Sequence, residues 1–546
     1  MSDIDVEKQA PSSARHDAVD GDTLRDDASS RSGDPKPSST PTPTSTRPGN
    51  EQQQQEQRTS SKAKATPHAD GDDDDDERYL VTFAPNDPAN PHNYSKSTKW
   101  AVVLLVFFAA TSVTCASSMT TSAYDGISNA FGVGREVSIL SLSLFVAGLG
   151  IGPSLLGPLS EFFGRRIIYL VSYGAYVLLG FPVAWANNIA VFLIFRFLTG
   201  FASSGFLSIA GGTVSDVFPP SELFLPMALF VCATFGGPTL GPLIAGFINQ
   251  NTTWRWTFYL IIIWAGAVWF ALLFFTPETY APTILCQTAA RYRKERKDGS
   301  DRWWAQHERV IASKSISDSI LSNCTKVAVL LSQEPMLLAL CVWSALLLGI
   351  LYLTFEAFPI IFAQHNFSLQ QVGLTFIGLG IGILLSVFTM PYWARKYALA
   401  TQRAQEKGEA AAPPEARLPI GMAGALLTTV GLYWIAFTSY ASVHWVLPII
   451  GSVFFGAGTC LAYVAIFSFT VDAFRPVAAS AMSANSFVRS CFAAAFPLFS
   501  EAMYHRLGTV GATALLAGLS TLFIPIPFVF YKYGPALRAR GRFSRT

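Results

Sequence analysis

The chain is 546 residues long, half of them hydrophobic and only 14% charged, with a formal net charge of +2 and a positive mean hydropathy of +0.34. Soluble domains carry about 25% charged residues, so this composition excludes an ordinary water-soluble globule and gives no basic footprint for a nucleic-acid partner. The seven cysteines are scattered, with neither metal-ligand spacing nor the pattern of a disulfide framework.

Residues 1–80 read as a disordered tail. Pro35 to Pro48 is rich in Ser, Thr and Pro, Gln52 to Gln55 is a glutamine run, and Asp72 to Asp76 is an acidic block; residues 1–78 hold 10 basic and 18 acidic residues, a net of −8. Such a segment cannot bury enough apolar surface to offset its ordering entropy. The acidic block reads as a solvated charge run, and no cleavable signal peptide precedes the first apolar stretch.

Twelve long apolar stretches follow, near 100–122, 137–159, 167–185, 190–213, 226–248, 257–276, 336–362, 370–393, 418–438, 443–470, 478–504 and 509–532. A helix needs roughly 20 apolar residues to cross a ~30 Å hydrocarbon core, and a bilayer admits only helices or closed barrels. Barrel-type alternation is absent, so the expected fold is an all-α membrane protein of twelve spans. The basic segment 277–335 divides them into six-helix bundles at 81–276 and 336–532, with a short tail at 533–546. Counting Lys and Arg near the spans gives 24 on the side of the termini against Arg135, Arg255 and Arg506 on the other. By the positive-inside rule both termini are cytoplasmic.

In chain order, span 1 ends on Asp125. Span 2 carries Gly148-Leu149-Gly150-Ile151-Gly152 and runs into Gly157-Pro158-Leu159-Ser160-Glu161-Phe162-Phe163-Gly164-Arg165-Arg166. Gly157 and Gly164 permit tight turning and close helix approach. Glu161, Arg165 and Arg166 can form a charge cluster holding the two halves together on the cytoplasmic side; the plainer reading has the arginines anchor topology. Span 4 carries Arg196-Phe197-Leu198-Thr199-Gly200, and span 5 carries Gly237-Pro238-Thr239-Leu240-Gly241-Pro242 with Gly246. There the prolines free backbone carbonyls and favour kinking or close packing. Glu356 lies in span 7 and Arg489 near the middle of span 11. In span 8, Gly378-Leu379-Gly380-Ile381-Gly382 and then Arg395-Lys396 repeat the span 2 pattern at a constant offset of 230 residues. Duplicated halves with a site between them are the build of alternating-access transporters.

Ionisable groups inside a bilayer are functional by default. Glu356 and Asp125 stand 22 and 23 residues before Gly378 and Gly148, near-equivalent positions of the two halves. A carboxyl in a low-dielectric cavity can take up and release a proton near neutral pH. Glu356, and with less weight Asp125, is therefore the expected protonation or cation site; each also reads as a wetted outer-end acid. Arg489 can pair with an acid, cap a helix break or receive an anionic substrate. Asn251-Thr252-Thr253 and Asn366-Phe367-Ser368 are outside sequons open to glycosylation, with Asn251 close to the membrane, while Asn93 and Asn323 face the cytoplasm and stay unmodified.

With these residues in place, about 81–535 resembles the major facilitator superfamily, and specifically its fungal twelve-span drug:proton antiporter branch. The resemblance rests on the loop 2–3 and span 4 signatures, the span 5 antiporter motif, the lead-in from Asn86-Asp87-Pro88 to Trp100, the Trp254-Arg255-Trp256 turn and Pro277-Glu278-Thr279. Glu161 stands where many members have Asp, and Pro391 replaces it in the second half. The resemblance implies proton-coupled export of a drug, polyamine or secondary metabolite, driven by the proton gradient without a cofactor, by a monomer in the plasma membrane. It also implies that Arg196 takes part in proton coupling and that span 5 is a stiff hinge limiting proton leak. Export of an organic acid, or proton-coupled uptake, is the alternative. No phosphate loop, His-Glu-x-x-His or paired-cysteine motif occurs, so neither an ATP-driven pump nor an enzyme is expected.

Overall fold

The computed structural model describes residues 79–219, 222, 224–295, 303–313, 315–408 and 412–544. Residues 1–78, with the expected disordered tail and its acidic block, lie outside the described residues. Among the described residues the architecture is helical, with one isolated pairing of Leu80 with Trp304.

Eleven helical stretches are long and apolar enough to cross a membrane: Lys96–Phe131, Arg135–Phe163, Arg165–Ala184, Ile189–Val217, Leu225–Asn251, Arg255–Phe275, Pro335–Ala363, Leu369–Glu406, Pro414–Thr438, Val446–Ala473 and Arg475–Arg540. The last has 66 residues, far more than one crossing needs. It contains Gly508 at φ 71°, ψ 169°, and the Tyr504 hydroxyl lies 3.0 Å from Thr513 Oγ1. On a straight helix those two residues would stand about 13 Å apart along the axis, so the chain doubles back at Gly508. That stretch is two crossings, which reconciles eleven stretches with twelve spans.

Local chemistry sets the helix ends. Ser95 accepts the Thr98 N–H at 3.2 Å to start span 1. Gly164, at φ 87°, ends span 2 and lets span 3 begin on the next residue, a conformation that strains any other side chain. Arg255 donates to the Ala184 and Ala186 carbonyls at 2.9 and 3.0 Å, so the Trp254-Arg255-Trp256 turn ties span 6 to the end of span 3.

Burial sorts the spans. Spans 1 and 7 are the most enclosed, with 78% of their apolar stretch buried, and span 6 the least, with 28%. Phe274 and Leu178 in the first half, and Phe388 and Leu522 in the second, are more than two-thirds exposed. Such side chains face an apolar medium rather than water. One core joins spans 1 to 6, around Tyr173, Phe192 and Phe206. Two more occupy the second half and reach across to Leu142 and Val146 of span 2 and to Val231 and Phe235 of span 5.

The glycine repeat is a packing device in both halves. A Cβ at Gly148 would strike the Phe197 carbonyl and the Phe201 nitrogen of span 4, and one at Gly200 the Phe145 carbonyl of span 2. In the second half, a Cβ at Gly382 would strike the Val453 carbonyl of span 10, and one at Gly456 the Leu379 carbonyl of span 8. Spans 2 and 4, and spans 8 and 10, therefore pack backbone to backbone.

Candidate functional site

Polar groups gather at three levels of the helical bundles. On the face opposite the termini, Glu356 of span 7 is only 3% exposed, and its Oε1 has no hydrogen-bond partner among the described residues. Tyr124, from the short helix Tyr124–Phe131 of the first half, is its neighbour, yet the Tyr124 hydroxyl meets no partner at hydrogen-bond geometry either. The other ionisable groups around this carboxyl are Arg135 and Glu501. Asp125 does not share its environment. The Asp125 side chain is 85% exposed and 3.3 Å from Arg135, which also reaches Glu501 at 3.4 Å. Asp125, Arg135, Tyr124, Phe355 and Pro359 line one cleft of about 500 Å³, solvent-open mouth included. The structure thus places Asp125 at a wet rim and Glu356 in the dry layer beside it. The near-equivalent sequence spacing did not foresee this difference.

The two intramembrane arginines differ in their partners. Arg196, 2% exposed, donates to the Ser141 and Ala116 carbonyls and to Thr120 Oγ1 at 3.1, 3.2 and 3.3 Å, and lies 4.4 Å from the Phe145 ring centre. It ties span 4 to spans 1 and 2. Arg489 lies 5.3 and 5.9 Å from the ring centres of Phe467 and Tyr463, and its buried Nε has no acceptor among the described residues. Tyr463 in turn stacks at 4.5 Å on Phe235 of the first half.

On the termini face the loop 2–3 residues gather partners the sequence had not singled out. Arg165 pairs with Asp216 at the end of span 4 at 3.3 Å, donates to Ser160 Oγ at 2.8 Å and lies 4.6 Å from the Tyr280 ring centre. Glu278, after span 6, accepts the backbone N–H groups of Arg165 and Arg166 at 3.0 and 3.2 Å. A carboxylate at the first turn of span 3 satisfies orphan donors and the positive end of the helix dipole. The Arg166 side chain donates to the Leu273 carbonyl at 3.2 Å. Glu161 is exposed and contributes its backbone carbonyl, 2.8 Å from His307 Nε2. Gly157 has open space around it, whereas a Cβ at Gly164 would press on Glu278. The charges of this cluster join spans 3, 4 and 6 of one half.

The second half carries a counterpart displaced along the chain. Arg395 and Lys396 lie inside the helix Ile377–Glu406, which overshoots the membrane-length stretch expected of span 8, and both are exposed. The geometric equivalent of Arg165 is Arg417, which opens span 9 and pairs with Asp472 at the end of span 10 at 3.0 Å. Arg538 and the buried Glu415 add a second pair at 2.9 Å. The halves share the arrangement, not the register.

In span 5, a Cβ at Gly237 would meet Thr114 of span 1 and one at Gly241 would meet Ser118, while Gly246 approaches the Leu369 carbonyl of the other half. Thr114 Oγ1 donates to the Ala233 carbonyl at 3.0 Å, just before Pro238. Pro238 and Pro242 both lie within the helix Phe224–Asn251. The motif therefore seats span 5 against span 1 and carries it to the seam. Asn251 is exposed at the end of this helix, and Asn366, at φ 55°, is exposed in the span 7–8 turn. Between the halves on the termini face stands the helix Ile316–Gln333, whose Asn323 donates to the Ser154 carbonyl of span 2 at 3.1 Å and accepts from Ser480 Oγ of span 11 at 3.0 Å.

Comparison with known proteins follows the same outline. The profile of the Major Facilitator Superfamily matches residues 106–497. Efflux pump atB of Aspergillus terreus is 41% identical, over 85% of this chain and 90% of that one. The probable drug/proton antiporter YHK8 of Saccharomyces cerevisiae is 36% identical, over 86% and 90%. Among solved structures, the xylose transporter XylE from E. coli, partially occluded and inward open, superposes with a TM-score of 0.56 at 15% identity, over 80% of this chain and 98% of that one.

Proposed function

The chain belongs to the major facilitator superfamily, and from that premise we propose that it exports a small molecule in exchange for protons, by alternating access between its two six-helix halves. Its fungal relatives named as efflux pumps and as a probable drug/proton antiporter support the direction and the coupling ion. The observation that carries the proton step is Glu356, a carboxyl buried at the seam without an ion-pair partner among the described residues, beside a cleft on the far face. Burying a bare carboxylate costs several kcal/mol, whereas its protonated form is tolerated. Its burial and its place beside that cleft support reading Glu356 as the residue that takes up and releases the proton. Arg196, already held by three acceptors, fixes the geometry of spans 1, 2 and 4 around it.

In this reading the proton gradient is the energy source, no cofactor takes part and the protein is no enzyme. The working unit is a monomer in the plasma membrane with both termini cytoplasmic. The N-terminal and C-terminal bundles span 81–276 and 336–532. Arg165 and Arg166, held by Asp216 and Glu278, brace spans 3, 4 and 6 of the first half, and the span 5 prolines stiffen the seam.

The test is efflux of a fluorescent dye, taken from an anionic and cationic pair such as fluorescein and rhodamine 6G, from sealed vesicles under an imposed pH gradient. Wild-type protein should concentrate the dye against its gradient. Glu356→Gln, correctly inserted, should only equilibrate it, and concentrative efflux by that variant would remove Glu356 from the mechanism.

A further inference from the structure

The proposed cycle leaves its substrate unnamed, and the two intramembrane arginines narrow it; the inference rests on that reading. Arg196 has acceptors for its donors. Arg489 does not: its Nε is buried and unpartnered among the described residues, and the ionisable groups around it are Tyr463, Tyr352 and Cys341, none of them a carboxylic acid. Of the roles open to it, a structural ion pair finds no carboxylate among the described residues. A helix break stands far away at Gly508, because Arg489 lies well inside the helix Ala478–Phe523. One turn earlier on the same side, Asn485 is 1% exposed, donates to Ser344 Oγ at 2.8 Å and leaves its other amide atom unpaired.

An unneutralised guanidinium in a low-dielectric interior is expensive until an anion reaches it. Its surroundings say what the rest of that anion is like. The Tyr463 and Phe467 rings face the guanidinium, and Phe235 of the other half closes over Tyr463 with the rings 30° from parallel. Flat apolar walls beside one fixed cation fit a planar, ring-bearing acid: the carboxylate pairs with Arg489 and the ring slides among the aromatic faces. We propose that Arg489, with Tyr463, Phe467 and Phe235, is the substrate subsite, and that the exported class is aromatic organic acids. Because Phe235 and Tyr463 come from opposite halves, a ring lodged there touches both. Tyr352 connects this subsite to the proton carrier. It is among the ionisable groups around Arg489, sits one helical turn before Glu356 and lies 2.8 Å from Ser117 Oγ of span 1.

The test uses the full chain in lipid nanodiscs and three matched probes, 2-naphthoate, 2-naphthamide and protonated 2-naphthylmethylamine, titrated by calorimetry at pH 7.5. The acid should bind at least tenfold more tightly than the amide, and the ammonium weakest. Arg489→Gln should erase the preference for the acid, and Arg489→Lys should keep part of it, both with wild-type melting curves. Equal or tighter binding of the amide or the ammonium to the wild type overturns the proposal, and this arm needs no variant to fold. A folded Arg489→Gln that still prefers the acid overturns it equally. Dye efflux separates the two readings: proton-driven dye movement with no preference for naphthoate sinks this inference and spares transport. Arg489-dependent naphthoate binding, with neither probe moved by a gradient, spares the subsite and sinks transport.

Discussion

Removing the carboxylate of Glu278 should loosen the membrane-edge cluster more than any single arginine there. Its Oε1 accepts from Arg165, Thr279 and Tyr280 at 3.0, 2.9 and 2.9 Å, and its Oε2 accepts from Arg166 at 3.2 Å. A hydrogen bond to a charged group contributes about 1.5–3 kcal/mol where water is excluded. Glu278 is half-buried, so water can serve some of these donors in its absence and the four bonds do not add. For Glu278→Ala we expect a loss of about 2–3 kcal/mol, and for Glu278→Gln, which keeps one acceptor oxygen but no charge, about 1 kcal/mol. Thermal unfolding of the purified protein in detergent, followed by size-exclusion fluorescence, should rank Ala below Gln below wild type, with the alanine variant melting a few degrees lower. An alanine variant that melts with the wild type would show that the span 3 terminus draws no strength from this carboxylate.

Four further outcomes are expected. Gly200→Ala should destabilise by about 1–3 kcal/mol, because the new Cβ meets the Phe145 backbone, while Gly266→Ala, with open space around it, should melt at or slightly above the wild type. The two Arg293 hydrogen bonds hold the Glu308 carboxyl below its ordinary value of 4.5. A depressed acid stabilises above that value and loses its effect as pH falls through the lowered one. Hydrogen exchange over residues 305–312, corrected for intrinsic rate, should therefore stay flat from pH 8 to 5 and rise only below about 4.5. Burial pushes the Cys286 thiol up to about 11, so a maleimide should react faster with the exposed Cys324 than with Cys286, and, with both on the side of the termini, a membrane-impermeant one should reach them in right-side-out cells only after permeabilisation. Enzymatic deglycosylation should shift the mobility of the wild type and not of a protein carrying both Asn251→Gln and Asn366→Gln.

Much of the architecture was legible because membrane burial writes itself into composition. Each crossing is an uninterrupted apolar run, and each bundle contact between spans 2 and 4 or 8 and 10 needs glycine. Partnerships between distant ends were not legible. Asp216 and Glu278 lie in otherwise unremarkable segments, and only the fold brings them to Arg165. The constant offset of 230 residues aligns the glycines of the two halves, but Arg395 lies inside the long helix Ile377–Glu406, and the cation placed like Arg165 in the second half is Arg417. Asp125 and Glu356 looked like twins by spacing, yet one is 85% exposed at its side chain and the other is buried. Spacing along a helix fixes height in the bilayer; which way a side chain faces also depends on the break after span 1, where Met119–Ala123 tightens to a 3-10 turn.

Asn323 holds spans 2 and 11 together with one side chain and two hydrogen bonds, neither to a charged group. Parting the two spans need break only one of these bonds, and a neutral hydrogen bond contributes about 1 kcal/mol net. That is enough to shift a two-state ratio roughly fivefold, and too little to lock it. The segment between the bundles is thus a weak thumb on the scale rather than a tether: it biases which face is open while leaving both populations within reach of a proton or a ligand.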